Sequence, residues 1–407
     1  MKKSKIAVLF GGCSTEYKIS LESAYSVVTH IDRDKYDPLL LGISRAGEWF
    51  HFSGELEKIK EDAWNNPTDC VKAIISPSRS VHGVLRFEKS GIREIRLDAA
   101  MPILHGKNGE DGTVQGLLEL AGIPIVGSGA LSSALCMDKD KAHKIVQLAG
   151  VRVPRSFVIE NEKDARSAER LAEDIGYPLF VKPVRSGSSL GISKVLCRGE
   201  LPEAIRQAFL HDSRVAIEEG ISGIEVGCAV LGNEELILGE VGEIELESGF
   251  FDYKEKYMPE KYVYHVPARL PGSKAEEVKD AARTIYRALG CAGFARLDMF
   301  LTEAGEIVFG ELNTIPGFTS HSHFPHLLEA AGMTFRQIVN TAIGLAVGAP
   351  ATYEQRANSP VTADGLRVGA PAVTAPKCGN PATVDDPAAA DSSTDVNSPA
   401  GGLAVGQ

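Results

Sequence analysis

The stretch GFARLDMFLTEAGEIVFGELNT, residues 293–314, decides the reading of this chain. Apolar and polar residues alternate on both sides of Ala304 and Gly305, a turn pair, and predict a hairpin of two half-buried strands. Symmetry about that pair sets Asp298 opposite Glu311 and Arg296 opposite Asn313. Opposed side chains have Cβ atoms roughly 4.5–5.5 Å apart, and like charges there repel unless something sits between them. A divalent cation is the natural candidate, and the oxygen donors of Asp298, Glu311 and Asn313 suit Mg²⁺ better than zinc. A solvent-facing polar strand face is the alternative.

Working outward, FVKPVRSGSSLGISKV (residues 180–195) is a strand carrying Lys182 followed by a loop with Gly187, Ser188, Ser189 and Gly191. Successive N–H groups and hydroxyls in such a loop can cradle phosphate oxygens while the lysine adds charge, although a Gly/Ser turn after a strand is more often just a turn. In PILHGKNGEDGTVQG (102–116), His105 precedes a glycine-rich loop at a strand's C-terminal end, the position that holds ligands in open α/β sheets. Glu16 lies in the matching first loop. The segment SGFFDYKEKYMPEKYVYH (248–265) mixes lysines with tyrosines, as a lid over a charged nucleotide would, or as any exposed loop could.

KIAVLF at the start reads as a buried strand, with glycines next and a helix starting near Ser20 as N-cap. The polar stretch Glu55 to Thr68 reads as a surface excursion, and one helix is expected from Ser132 to Leu148. The expected division is an N-terminal α/β domain (1–127), a central domain (128–218), a C-terminal domain (219–348) and a disordered tail (349–407) rich in Ala, Pro, Gly, Ser, Thr and Asp. A net charge of −11 argues against nucleic acid as a partner. No run of about 18 apolar residues is present, and the start meets glycine too soon for a signal peptide, so a cytoplasmic protein away from the membrane is expected. Seven scattered cysteines form no C-x-x-C pair and indicate neither zinc nor a disulfide framework.

Taken together, FGGCSTE, HGKNGEDG, CMDKDKAHK, FVKPVRSGSSLGISKV, EVGCAVLG, DYKEKY, RLDMF and ELNTIPGFTSHS stand in the order found in the D-alanine–D-alanine ligase family, which the chain resembles from about Lys5 to Leu345. That family includes the D-alanine–D-serine and D-alanine–D-lactate ligases of glycopeptide resistance. The resemblance implies an α/β, three-domain ATP-grasp fold with a Rossmann-like N-terminal domain, ATP and Mg²⁺ (or Mn²⁺) as cofactors, a role in peptidoglycan precursor synthesis, and a homodimer. It implies phosphate contacts from Lys139, Lys182 and Ser189, and adenine and ribose contacts from Glu218, Glu219, Ile221 and Glu225. Asp298, Glu311 and Asn313 match the family's Mg²⁺ ligands. Glu16 and His105 fall where the first D-alanine is held; Arg296, Gly317 and Ser322 fall where the second substrate and the reacting carbonyl lie. Ser188 and Tyr257 join Glu16 in a triad that orients substrate and closes the lid, while Lys256 reaches the terminal phosphate.

Three departures remove no group the chemistry needs: Tyr17 for a frequent His, Phe251 for Tyr, and Gly310 for Asn. His323 differs in kind, since the position is usually Leu in D-alanine-specific ligases and Arg in several resistance ligases. The expected reaction is ATP-dependent formation of D-alanyl-D-alanine through D-alanyl phosphate, with D-serine the competing second substrate. A rival from another class is a nucleotide-binding regulatory protein that has lost its chemistry; it predicts loss of a metal ligand or of Arg296, and all are present.

Overall fold

The computed structural model describes residues 2–187, 190–246 and 262–348. The first sheet collects β1 (Ser4–Gly11), β2 (Tyr36–Ile43), β3 (Trp49–Phe52), β4 (Cys70–Ile75), β5 (Gly83–Glu88), β6 (Gly91–Arg96) and β7 (Ala99–Ile103) in the order β6-β5-β4-β3-β2-β1-β7. β1 runs parallel to β2 and β7, and the remaining pairs are antiparallel. A parallel strand covered on both faces needs a continuous apolar run, which Ile6 to Phe10 supplies. Ile6, Val8 and Phe10 pack with α1 (Tyr17–His30), whereas Ala7 and Leu9 share the opposite core.

Two expectations change in this region. Ser20 lies inside α1, not at its start: its hydroxyl accepts from the Gly11 N–H at 2.8 Å and donates to the Ile103 carbonyl, tying the ends of β1 and β7 to the helix. The polar excursion, which holds the one-turn helix α2 (Glu57–Lys60), is not merely superficial. Its Trp64 is buried against Phe10 and Phe52, and its indole N–H donates to the Tyr17 hydroxyl at 2.9 Å.

After α3 (Thr113–Ala121), which covers the second face of the first sheet, the expected single helix is two: α4 (Ala130–Met137) and α5 (Lys139–Leu148). Asp138 separates them, because its extended backbone and its carboxylate, accepting from the Lys141 N–H at 3.0 Å, cap the start of α5.

The second sheet holds β8 (Ser156–Ile159), β9 (Leu179–Pro183), β10 (Ser193–Val195) and β11 (Val215–Glu219), ordered β10-β9-β11-β8 with antiparallel pairs. One face is buried under α6 (Ala165–Ile175) and α7 (Leu201–Phe209). Period-two alternation therefore turns Lys182 of β9 and Glu218 of β11 to the other face.

The third sheet is antiparallel, ordered β14-β13-β12-β15-β16, from β12 (Gly223–Gly232), β13 (Leu236–Leu246), β14 (Tyr262–His265), β15 (Phe294–Thr302) and β16 (Ile307–Asn313). Ala295, Leu297, Met299 and Leu301 of β15 pack with α8 (Gly272–Ala288), so the alternating Arg296, Asp298 and Phe300 point away from that core. α9 (His323–Ala330) and α10 (Phe335–Val347) join the core that contains α1.

Among the described residues no helix is long and apolar enough to cross a membrane. The tail expected from 349 lies outside the described residues.

Candidate functional site

Two cavities meet on the hairpin β15–β16. One, of about 360 Å³, is lined by Lys139, Lys182, Glu218, Glu219, Ile221 and Glu225. The other, of about 260 Å³, is lined by Glu16, His105, Arg296, Gly317, Ser322 and His323. Asp298, Glu311, Glu225 and Ile244 belong to both walls, and Asn313 to the second. In the hairpin Asp298 pairs with Glu311 and Arg296 with Asn313. The route to this register is less simple than symmetry. Leu301 pairs with Ile307, which centres the turn on Ala304, with Gly305 left-handed at φ 79°. A one-residue bulge at Gly310 then restores the register, since Met299 pairs with Phe309 and Asp298 with Glu311.

On the larger cavity, Lys182 Nζ lies 2.6 Å from Glu218, which is 2% exposed. Burial pushes the Glu218 carboxyl up, but Lys182, His143 and Lys139 outweigh it and hold the group below its ordinary value. Lys139, at the start of α5, donates to the Ser186 carbonyl at 2.8 Å and stands 3.7 Å from Glu311. One cation thus spans the Gly/Ser loop and the hairpin.

Arg296 grips Asp298 in a two-pronged pair, and the Asn313 amide donates to Asp298 Oδ2 at 3.0 Å. Burial works against the Arg296 cation, yet Asp298 and Glu311 more than offset it and hold the guanidinium above its ordinary value. Among the described residues no three His, Cys, Asp or Glu side chains cluster to hold a metal. Two carboxylates and an amide oxygen still fit Mg²⁺, which keeps water and phosphate oxygens as its other ligands.

In the smaller cavity His105 is buried, with Nδ1 2.8 Å from the Ile315 carbonyl and Nε2 3.2 Å from Ser23 Oγ. A carbonyl only accepts, so Nδ1 carries the hydrogen. Burial holds this imidazole below its ordinary value against the pull of Glu16. Glu16 is closely framed: a Cβ on Gly106 would lie 2.5 Å from its Oε2, and one on Gly187 3.2 Å. Gly317 is equally confined, since a Cβ there would lie 2.7 Å from Ser322 Oγ. His323, the first residue of α9, stacks on Tyr264 with ring centres 4.0 Å apart and planes at 15°, and meets Tyr262 edge-on at 6.0 Å. Tyr17 instead turns into the core, its ring under the Arg45 guanidinium at 3.8 Å.

Ser188, Ser189, Lys256 and Tyr257, with the rest of the expected lid up to Lys261, lie outside the described residues. Sequence reasoning assigned no role to Glu110, which stands in the smaller cavity beside Glu16 and accepts from the Gly106 N–H at 2.7 Å. The signal was present in HGKNGEDG. Nor did it assign Glu243, Glu245 and Arg269 on the larger cavity, where Arg269 Nη2 donates to Glu243 Oε1 at 2.6 Å; GEIE in β13 carries both acids.

Comparison with known proteins agrees along nearly the whole described length. The family model described as D-ala D-ala ligase N-terminus matches residues 5–128, and that described as D-ala D-ala ligase C-terminus matches 145–344. The D-alanine–D-alanine ligase of Caldicellulosiruptor bescii is 43% identical over 352 residues, 85% of this chain and 96% of that protein. The vancomycin B-type resistance protein VanB of Enterococcus faecalis is 44% identical over 85% of this chain and 99% of its own. Among solved structures, the VanG D-Ala:D-Ser ligase from Enterococcus faecalis superposes with a TM-score of 0.80 at 51% identity, covering 85% of this chain and all of the other.

Proposed function

Because this chain belongs to the D-ala D-ala ligase family, whose fold is ATP-grasp, we propose that it uses ATP to join D-alanine to a second D-amino acid, releasing ADP and phosphate. One observation carries the reading: the two cavities share the wall formed by Asp298 and Glu311, so a nucleotide's terminal phosphate and an amino acid's carboxylate would meet there.

A carboxylate is a poor electrophile, and phosphorylation gives it a leaving group. In this reading a carboxylate oxygen of D-alanine attacks the terminal phosphorus, ADP leaves, and D-alanyl phosphate forms. The amine of the second amino acid then attacks the acyl carbon, and phosphate departs with that carboxylate oxygen. Bound Mg²⁺, or Mn²⁺ in its place, held by Asp298, Glu311 and Asn313, would neutralise charge on the phosphates. Lys139 and Lys182 add positive charge on the nucleotide side, where Glu218, Glu219, Ile221 and Glu225 receive adenine and ribose. Glu16 and His105 orient the first D-alanine; Arg296 and the Gly317 N–H receive the oxyanion. Asp298 engages Nε and Nη2 of Arg296, which leaves Nη1 outside that pair. The family resemblance assigns Lys256 and Ser189 to the phosphates and Tyr257 and Ser188 to the triad with Glu16; these four lie outside the described residues.

For the second amino acid we take D-alanine, which asks only for a small cavity and makes the product a peptidoglycan precursor in the cytoplasm. A second reading, D-serine, is favoured by the His323 imidazole on the cavity wall and by the 51% identity to the VanG D-Ala:D-Ser ligase. Carboxylate-labelled [¹⁸O]D-alanine tests the route: the reading expects label in the released phosphate, and unlabelled phosphate alongside normal dipeptide formation would refute an acyl phosphate.

A further inference from the structure

His143 on α5 is 3% exposed and lies one turn beyond Lys139 on the same helix face. Its Nε2 is 2.8 Å from the carbonyl oxygen of Gly310. Since that oxygen only accepts, Nε2 carries the hydrogen. Gly310 is the bulged residue of β16 and directly precedes Glu311. The other ring nitrogen, Nδ1, is buried without a hydrogen-bond partner, 3.9 Å from Glu218 Oε1. The ring meets Phe309 edge-on, with centres 5.5 Å apart.

Packing does not call for an imidazole here. A phenyl ring could face Phe309 from the same place, but it would lose the influence on Glu218 and leave the Gly310 carbonyl without its donor. What the imidazole supplies to the hairpin, beside its influence on Glu218, is the donor to Gly310. A bulged residue is left out of the regular ladder, so its peptide is not fixed by the partner strand. This one presses closely on that strand, because a Cβ on Gly310 would lie 2.9 Å from the Asp298 carbonyl oxygen. The direction of the next side chain, Glu311, depends on how that peptide is turned.

We infer that His143 is a positioning residue: by holding the Gly310 carbonyl from α5 it fixes the bulge and aims Glu311 at the space it shares with Asp298. The same helix turn presents Lys139 to Glu311, so α5 sets both the carboxylate and its nearby cation. This inference rests on the reading of Glu311 as a Mg²⁺ ligand.

The test measures Mn²⁺ binding to the full-length protein with a non-hydrolysable ATP analogue, from loss of the free-ion EPR signal, together with melting temperature. Gln can place an amide donor near the position of Nε2, whereas Phe and Asn cannot. H143F is expected to weaken Mn²⁺ binding by roughly 10-fold or more, the usual scale for a group behind a metal ligand. H143Q should stay within about twofold of wild type because the donor is retained. The melting temperature, read for every variant, shows that the protein is folded under the binding conditions. If H143F is insoluble, H143N carries the same expectation of weakened binding. Wild-type Mn²⁺ binding in H143F or H143N, or equal weakening in H143Q and H143F, overturns the inference. E311Q run alongside separates the two levels: wild-type binding in E311Q refutes the metal reading itself, whereas weak binding there with a wild-type H143F refutes only the role of His143.

Discussion

Arg296 and Asp298, two residues apart on β15, hold each other through two parallel hydrogen bonds, Nε to Oδ1 at 2.8 Å and Nη2 to Oδ2 at 2.7 Å. Both side chains are largely buried, at 18% and 15% exposed. Asp298 therefore has a structural duty that Glu311 does not share in the same form.

Asp298→Asn and Glu311→Gln should accordingly differ in stability while agreeing in activity. Losing the carboxylate weakens two charge-assisted hydrogen bonds and leaves Glu311 as the remaining counter-charge of Arg296, so Asp298→Asn is expected to cost about 1.5–3 kcal/mol in urea unfolding. Glu311→Gln should cost less than about 1 kcal/mol. Each should lower D-alanine-dependent phosphate release by about 10²-fold or more, as charge stabilisation at the moving phosphoryl group is lost. Near-normal turnover in either variant at saturating Mg²⁺ would refute the metal assignment.

Glu110 gives the folded protein a specific pH dependence. Burial, then the neighbouring Glu16, pushes its carboxyl from the ordinary 4.5 up to about 8. Between those values the folded state keeps a proton that the unfolded chain has lost, so stability falls as pH rises through this window. Glu110→Gln cannot ionise and should lose less stability between about pH 5 and about pH 8 in urea unfolding. Parallel pH profiles for variant and wild type would show that Glu110 is ionised like an ordinary carboxyl.

Gly106→Ala should damage the smaller cavity. The residue has φ 73° and an added methyl would lie 2.5 Å from Glu16 Oε2. Strain of about 1–2 kcal/mol is expected, with an increased KM for D-alanine as Glu16 is displaced. Gly116 in α3 is the control: nothing lies within 4 Å of its added Cβ, so Gly116→Ala should stabilise by about 0.5–1 kcal/mol. Equal effects of the two substitutions on KM would contradict the framing of Glu16.

His323→Leu addresses the second substrate. If the imidazole contacts the hydroxyl of D-serine, the ratio of kcat/KM for D-alanine to that for D-serine should rise, with about 10²-fold as the upper scale for one hydroxyl in an apolar pocket. An unchanged ratio would make the ring, stacked on Tyr264, a wall only.

The pairing of Asp298 with Glu311 could be read from the sequence because alternation and turn residues are local signals. Even so, two local features offset each other: the register leaving the turn is one residue off the symmetric guess, and the Gly310 bulge returns Asp298 to Glu311. FGE reads as ordinary strand, so alternation cannot reveal the bulge. Ser20 looked like a helix cap because its best-known use is local, whereas its hydroxyl serves two strand ends from inside α1. Trp64 sat in a polar stretch whose neighbours gave no sign of the aromatic cluster awaiting it. Glu110 was in plain view, but its raised carboxyl depends on burial beside Glu16, a residue 94 positions earlier.

The most direct test of the central claim is phosphate release from ATP and Mg²⁺ by the full-length protein, measured across panels of D- and L-amino acids with mass identification of the product. Release should require D-alanine and be absent with L-amino acids, with D-alanyl-D-alanine as the product and D-alanyl-D-serine when D-serine is supplied. Phosphate release that ignores D-alanine, or that yields no dipeptide, would contradict that claim.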